Sequence, residues 1–214
     1  MRWELEHDAF VPVALADGRR LTRISAIEPA RAGGAWVSGE LGLYYYDPAN
    51  GLLHAVDIGH SQARTGTRVF DVLELADGSL WVATNPGIYR RGPGKDLFEP
   101  VRVADPVLDR RLTGRDAWEL QADAQGRVWV GLIRDGVLVV EPDGQAWAPQ
   151  GLDGSDGVHA GTTVRALLPV DGQMWVATDG QGLFRVQGRQ ARRQPVNLTE
   201  FLGGRDFHVL ELIR

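Results

Sequence analysis

Asp77-Gly78-Ser79-Leu80-Trp81-Val82-Ala83-Thr84-Asn85-Pro86-Gly87-Ile88-Tyr89 is a strand held between two turns. Asp-Gly supplies the positive φ that a tight hairpin needs, and Pro-Gly turns the chain again into a second strand. The same plan returns in Gly33-Gly34-Ala35-Trp36-Val37, Gly126-Arg127-Val128-Trp129-Val130 and Gly172-Gln173-Met174-Trp175-Val176. The tryptophans Trp36, Trp81, Trp129 and Trp175 stand 45, 48 and 46 residues apart. Self-similarity at a period of about 40–50 residues, made of short strands and turns, predicts a β-propeller.

Working outward from this stretch, Arg68 to Leu75 reads as an inner strand, Leu80 to Thr84 as the second and Ile88 to Arg91 as the third. Phe98 to Val103 then reads as the outer fourth, which completes one antiparallel blade. The expected fold is all-β, with four-stranded antiparallel blades at 21–66, 67–114, 115–162 and 163–204. Residues 1–20 read as the end of a preceding blade. Residues 205–214 repeat the Arg68 to Leu75 strand and read as the first strand of a next one. Four complete blades and two partial ones predict a stretch of a longer propeller; the alternative is a closed ring whose ends share a fifth blade. Helical periodicity is confined to a turn at Asn197 to Phe201.

Bulk properties narrow the function classes. The chain has 214 residues, net charge −5 and more acidic than basic side chains, 28 against 23. That balance argues against a nucleic-acid partner. With no cysteine, disulfides, zinc-thiolate sites and cysteine nucleophiles are excluded. No stretch approaches the ~18 apolar residues of a membrane span. Met1-Arg2-Trp3-Glu4-Leu5-Glu6-His7-Asp8 lacks an apolar core and does not read as a signal peptide, so no export route is expected from this stretch.

An inner strand, Asp-Gly-x-x-Trp-Val-x-Thr, a short turn, Gly-Leu or Gly-Ile and an aromatic-rich strand together resemble the two-component regulator propeller repeat. Asp77 to Tyr89 carries the resemblance best, followed by Asp171 to Thr178 with Gly182-Leu183-Phe184. Ala32 and Gln125 depart from it where Asp is usual, as do Ser38-Gly39 and Gly131-Leu132 where Ala-Thr is usual. The resemblance implies seven-bladed sensor propellers of bacterial receptors, outside the cytoplasm, feeding a downstream histidine kinase or diguanylate cyclase. It implies a small-molecule or oligosaccharide ligand and no catalysis in the propeller itself. No cofactor or metal is expected, and open blade edges predict oligomerisation, a homodimer included, or marginal stability.

Site residues are sought where the copies differ, because packing needs sameness and binding needs particular groups. The loops between blades and the turns between second and third strands are expected to share one face, the ligand side. Arg64, Arg110, Arg111, Arg134 and His159 on that face suit a carboxylate or sulfate, Trp118 suits stacking, and Asp135 and Asp179 complete the set. Trp36, Trp81, Trp129 and Trp175 read as packing between blades, and Gly33, Gly78, Gly126 and Gly172 as hairpin residues. Two rivals remain open. One is a protein-interaction scaffold, although Val rather than Asp follows each tryptophan. The other is a propeller lyase similar to streptogramin lyase, for which His159 with Asp179 is the nominated pair.

Overall fold

The computed structural model describes residues 2–4, 9–59, 67–152 and 161–194. Four four-stranded antiparallel sheets follow one another along the chain, each in simple meander order. The first holds β3 (Ile24–Pro29), β4 (Ala35–Gly39), β5 (Gly42–Asp47) and β6 (Leu52–Val56). The second holds β7 (Val69–Glu74), β8 (Leu80–Thr84), β9 (Gly87–Arg91) and β10 (Glu99–Pro100). The third is β11 (Ala117–Ala122), β12 (Val128–Leu132), β13 (Val137–Val140) and β14 (Ala146–Trp147). The fourth is β15 (Val164–Val170), β16 (Gln173–Thr178), β17 (Gly182–Gln187) and β18 (Gln190–Gln194). β1 (Arg2–Glu4) and β2 (Ala9–Val11) pair with each other as a separate two-stranded ribbon. These are the blades of an all-β propeller.

Turn chemistry makes each hairpin. Gly33, Gly78, Gly126 and Gly172 have φ between 73° and 95°, the left-handed region that an L side chain disfavours. Asp17, Asp77, Asp123 and Asp143 each accept from the backbone N–H two residues on, closing the turns locally.

Burial then stacks the blades. Trp36 packs among Val69, Val72 and Leu80 of the next blade, Trp81 among Leu120 and Val128, and Trp129 among Val164, Leu167 and Met174. Trp36, Trp81 and Trp129 are buried, whereas Trp175 is half-buried. Polar ties reinforce these seams: Trp36 Nε1 donates to Glu74 Oε2 of the next blade at 2.8 Å. Asp71 Oδ2 accepts from the Leu120 N–H at 2.7 Å. Gly131, which stands where Ala83 and Ala177 stand in sister blades, has no room for a methyl group. A Cβ there would meet Val164 Cγ1 at 2.7 Å.

One element departs from the sequence reading. The segment after β10 folds as α1 (Pro106–Gly114), a helix of 9 residues, where only loop was expected. Asp105 caps it, accepting from Val107 N and Leu108 N at 2.7 and 3.1 Å, and Pro106 opens its first turn. Leu112 is buried and the helix packs on β9. The outer strand β10 is also shorter than Phe98 to Val103, although the Val101 N–H still donates to the Ile88 carbonyl at 2.9 Å. The helical turn expected at Asn197 to Phe201, and the strand expected at 205–214, lie outside the described residues.

Candidate functional site

In every blade the turn between the second and third strands sits beside the start of the inner strand. The N–H groups of Glu40, Asn85, Ile133 and Asp179 donate to the carbonyls of Arg23, Arg68, Asp116 and Thr163, at 3.3, 3.2, 2.9 and 2.8 Å. These bonds place the turns and the loops that enter each inner strand on one rim. The inner strands of successive blades are neighbours, so this rim surrounds one end of the surface they line.

Each inner strand slips register once near that rim, between Ile24 and Ala26, Val69 and Asp71, Ala117 and Glu119, and Val164 and Ala166. A bulge of this kind leaves one residue unpaired and re-aims its side chain. The four residues so released are Ser25, Phe70, Trp118 and Arg165. Three of them form a continuous stack across three blades. Phe70 and Trp118 lie with ring centroids 5.1 Å apart and planes 25° from parallel. The Arg68 guanidinium covers Phe70 at 4.7 Å and the Arg165 guanidinium covers Trp118 at 4.8 Å. Arg165 is anchored by Asp179, Nη2 to Oδ2 at 2.6 Å. The Nε atoms of Arg68 and Arg165 are buried and have no hydrogen-bond partner. Cation–π contacts of this kind are worth about 0.5–2 kcal/mol each.

The residues singled out from sequence fall into three groups. Trp118 and Asp179 belong to the stack, although Phe70 and Arg165, from the neighbouring blades, already occupy Trp118's ring. Arg111 and Asp135 are brought together, but onto each other: Arg111 Nε meets Asp135 Oδ2 at 2.9 Å while Nη2 donates to the Asp135 carbonyl. Arg115 approaches the same carboxylate at 3.7 Å. This cluster pins α1 to the turn of the following blade. Arg110 on α1 and Arg134 are exposed. Arg134 stands at φ 58°, and its N–H donates to Thr163 Oγ1 at 3.0 Å. Arg64 and His159 lie outside the described residues, and with His159 goes the pair that the lyase reading needs; Asp179 is held by Arg165.

Arg68, Phe70 and Arg165 were not singled out from the sequence, yet a signal was present. Ser25, Phe70 and Trp118 each precede the blade tryptophan by 11 residues, and Arg165 by 10. Aligning the repeats on tryptophan brings Ser25, Phe70 and Trp118 into one column, with Arg165 one position away. Buried just beneath this column is Asp71. Burial pushes its carboxyl up to about 7, against hydrogen bonds from Leu120 and Val72 that favour the charged form; the charge of Glu28 adds to the rise.

Two clefts open elsewhere, near the hairpins that join first and second strands. One of 440 Å³ lies between the third and fourth blades, beside Asp123, Trp129 and Met174. The other, of 700 Å³, lies between the second and third, beside Trp81, Arg90, Lys95 and Val128. Neither contains a residue of the rim. Among the described residues no cluster of three or more His, Asp or Glu could hold a metal ion.

No protein-family model and no curated relative matches the chain. Solved structures do match its fold. The extracellular domain of a hybrid two-component system from B. thetaiotaomicron superposes with a TM-score of 0.72 at 19% identity, over 99% of this chain and 28% of that one. A second such domain from B. thetaiotaomicron gives 0.65 at 16% identity, over 90% of this chain and 25% of that one. The chain shares the fold of the two-component regulator propellers. PorZ of Porphyromonas gingivalis, a surface component of the type-IX secretion system, gives 0.59 at 21% identity, over 80% and 26%. The chain therefore spans about a quarter of the length of these propeller proteins.

Proposed function

We propose that this chain is a ligand-sensing, non-catalytic stretch of a bacterial receptor propeller that works outside the cytoplasm. The observation that supports it best is the stack Arg68–Phe70–Trp118–Arg165. It uses one bulge position in three consecutive blades, yet the residues there are unlike each other and differ from Ser25 in the first blade. Packing between blades is already supplied by the repeated tryptophans, so residues that vary at an equivalent rim position are free to serve recognition. A small molecule or oligosaccharide lying across this rim touches several blades at once. Its binding energy then favours one relative blade orientation over another, which a downstream kinase or cyclase can read. The fold of the hybrid two-component extracellular domains supports the same role.

The experiment is a calorimetric screen of the chain against oligosaccharide libraries, repeated on Trp118→Ala and Arg165→Ala. Binding lost in both variants while the thermal transition stays cooperative is the expected result. Ligands that bind both variants as well as the parent, or that are chemically converted on the protein, overturn the reading.

A further inference from the structure

Among the described residues the charges of the rim do not cancel, and the imbalance speaks to what the site takes. Every acidic side chain at a second-to-third-strand turn is already engaged. Glu40 accepts from Thr22 Oγ1 at 2.8 Å and meets Arg23 at 3.6 Å. Asp135 is held by Arg111 and Arg115, and Asp179 by Arg165. Asp116, at the entry to β11, accepts from Asn85 Nδ2 at 2.8 Å. Three guanidinium groups remain with no carboxylate among the described residues: Arg68 at the end of the aromatic stack, Arg110 on α1 and Arg134 on the turn of the third blade.

Arg134 carries a second observation. The corresponding turn of the fourth blade has Gly180 at φ 81°, and Arg134 occupies the same left-handed conformation at φ 58°. A long cationic side chain is thus kept at a position where the fold prefers glycine, at a cost of about 1 kcal/mol. The Arg134 side chain makes no hydrogen bond or ion pair within the described residues; only the backbone N–H is bonded, to Thr163 Oγ1, as any residue's would be. Strain of this kind at a rim is a pointer to recognition.

We infer that the rim takes a multivalent anion, carboxylate or sulfate groups spaced along one chain, with one group on Arg68 and another on Arg134 of the next blade. This rests on the sensing reading above and adds the ligand's chemistry. Arg supplies paired N–H donors that match carboxylate and sulfate oxygens, and the aromatic stack leaves the Arg68 head group oriented before the ligand arrives. Arg110 adds long-range attraction, which salt screens over about 8–10 Å.

The test uses four probes on the full chain: hexagalacturonate, its methyl ester, a heparin hexasaccharide and the neutral xylohexaose. The expected result is that at least one acidic probe binds, that affinity falls as salt rises, and that the methyl ester fails. Arg68→Ala and Arg134→Gly should each weaken binding about tenfold or more, with Arg134→Lys recovering part of it. Binding of neutral xylohexaose that depends on Trp118, with neither acidic probe bound, overturns the anion assignment and leaves the sensing rim in place. Acidic probes that bind with full affinity to Arg68→Ala, Arg134→Gly and Trp118→Ala overturn both. Failure of both acidic probes to bind the folded chain also overturns the assignment.

Discussion

Arg134 is left-handed at φ 58°, beside a sister turn that uses Gly180. Relief of that conformation should make Arg134→Gly more stable than the parent by about 1 kcal/mol, while anion binding falls. Chemical denaturation and calorimetry on the same preparation check the two together; a variant no more stable than the parent would show that the turn is not strained. A second residue-scale contrast concerns the indole N–H groups. Trp36 donates to Glu74 of the next blade, and Trp129 to Asp123 of its own at 2.7 Å. Trp81 Nε1 is buried without a partner. Strand register explains it: the positions that correspond to Glu74 and Asp123 are filled by Ala122 and Leu75. Ala122→Glu should restore the acceptor and stabilise the chain by roughly 1 kcal/mol, since a buried unmet donor costs about 1–3 kcal/mol. An urea midpoint at or below that of the parent sinks this account.

At the scale of elements, the inner strands carry both the site and its pH dependence. Asp71 of β7 bridges to the Leu120 N–H of β11, and burial holds its carboxyl near pKa 7 instead of the usual 3.8. The folded state therefore binds the proton more tightly than the unfolded chain. The stability this contributes is full below about pH 4, declines as pH rises through about 7, and is gone above it. Urea midpoints measured at pH 5 and pH 8 should drop with rising pH in the parent, and the drop should shrink in Asp71→Asn. An equal drop in both would assign the titration elsewhere. The strands themselves were legible, because Asp-Gly turns and period-2 apolar runs act over a few residues. The bulges were not: a register slip depends on which neighbour the strand meets, and no local residue announces it. Phe70 consequently reads as an ordinary strand residue until its partner Trp118, 48 positions away, is in place. The helix α1 was legible in principle from Asp105-Pro106, but its one buried leucine made too weak an apolar stripe to declare itself. Arg111 and Asp135 were both expected on the ligand face, and only the distance between them shows that they satisfy each other.

For the whole molecule, blade packing decides what the ends of the stack expose. Val72, Leu120 and Leu167 face the preceding blade and are at most 4% exposed, whereas Ile27, at the same position in the first blade, is 62% exposed. Val69, Ala117 and Val164 are fully buried, and their counterpart Ile24 is 46% exposed. Residues Val13, Leu15 and Leu21 cover other parts of that face, around Val37 and Tyr44. An apolar blade face of this kind should drive association in solution. Light scattering should find the parent self-associating in a concentration-dependent way and Ile27→Asp shifted towards monomer. A parent that stays monomeric at high concentration would contradict this.

The seven tryptophans offer the most direct check on where ligand binds, because they mark different places. Trp118 sits in the rim stack, whereas Trp81 and Trp129 line the two clefts near the other end of the inner strands. We would record the indole N–H resonances, assign Trp118 with Trp118→Phe, and titrate hexagalacturonate and the heparin hexasaccharide. Movement of the Trp118 signal, with Trp81 and Trp129 still, is the predicted result. Saturable movement of Trp81 or Trp129 with Trp118 unmoved would place the ligand in the clefts and contradict the rim as the sensing site.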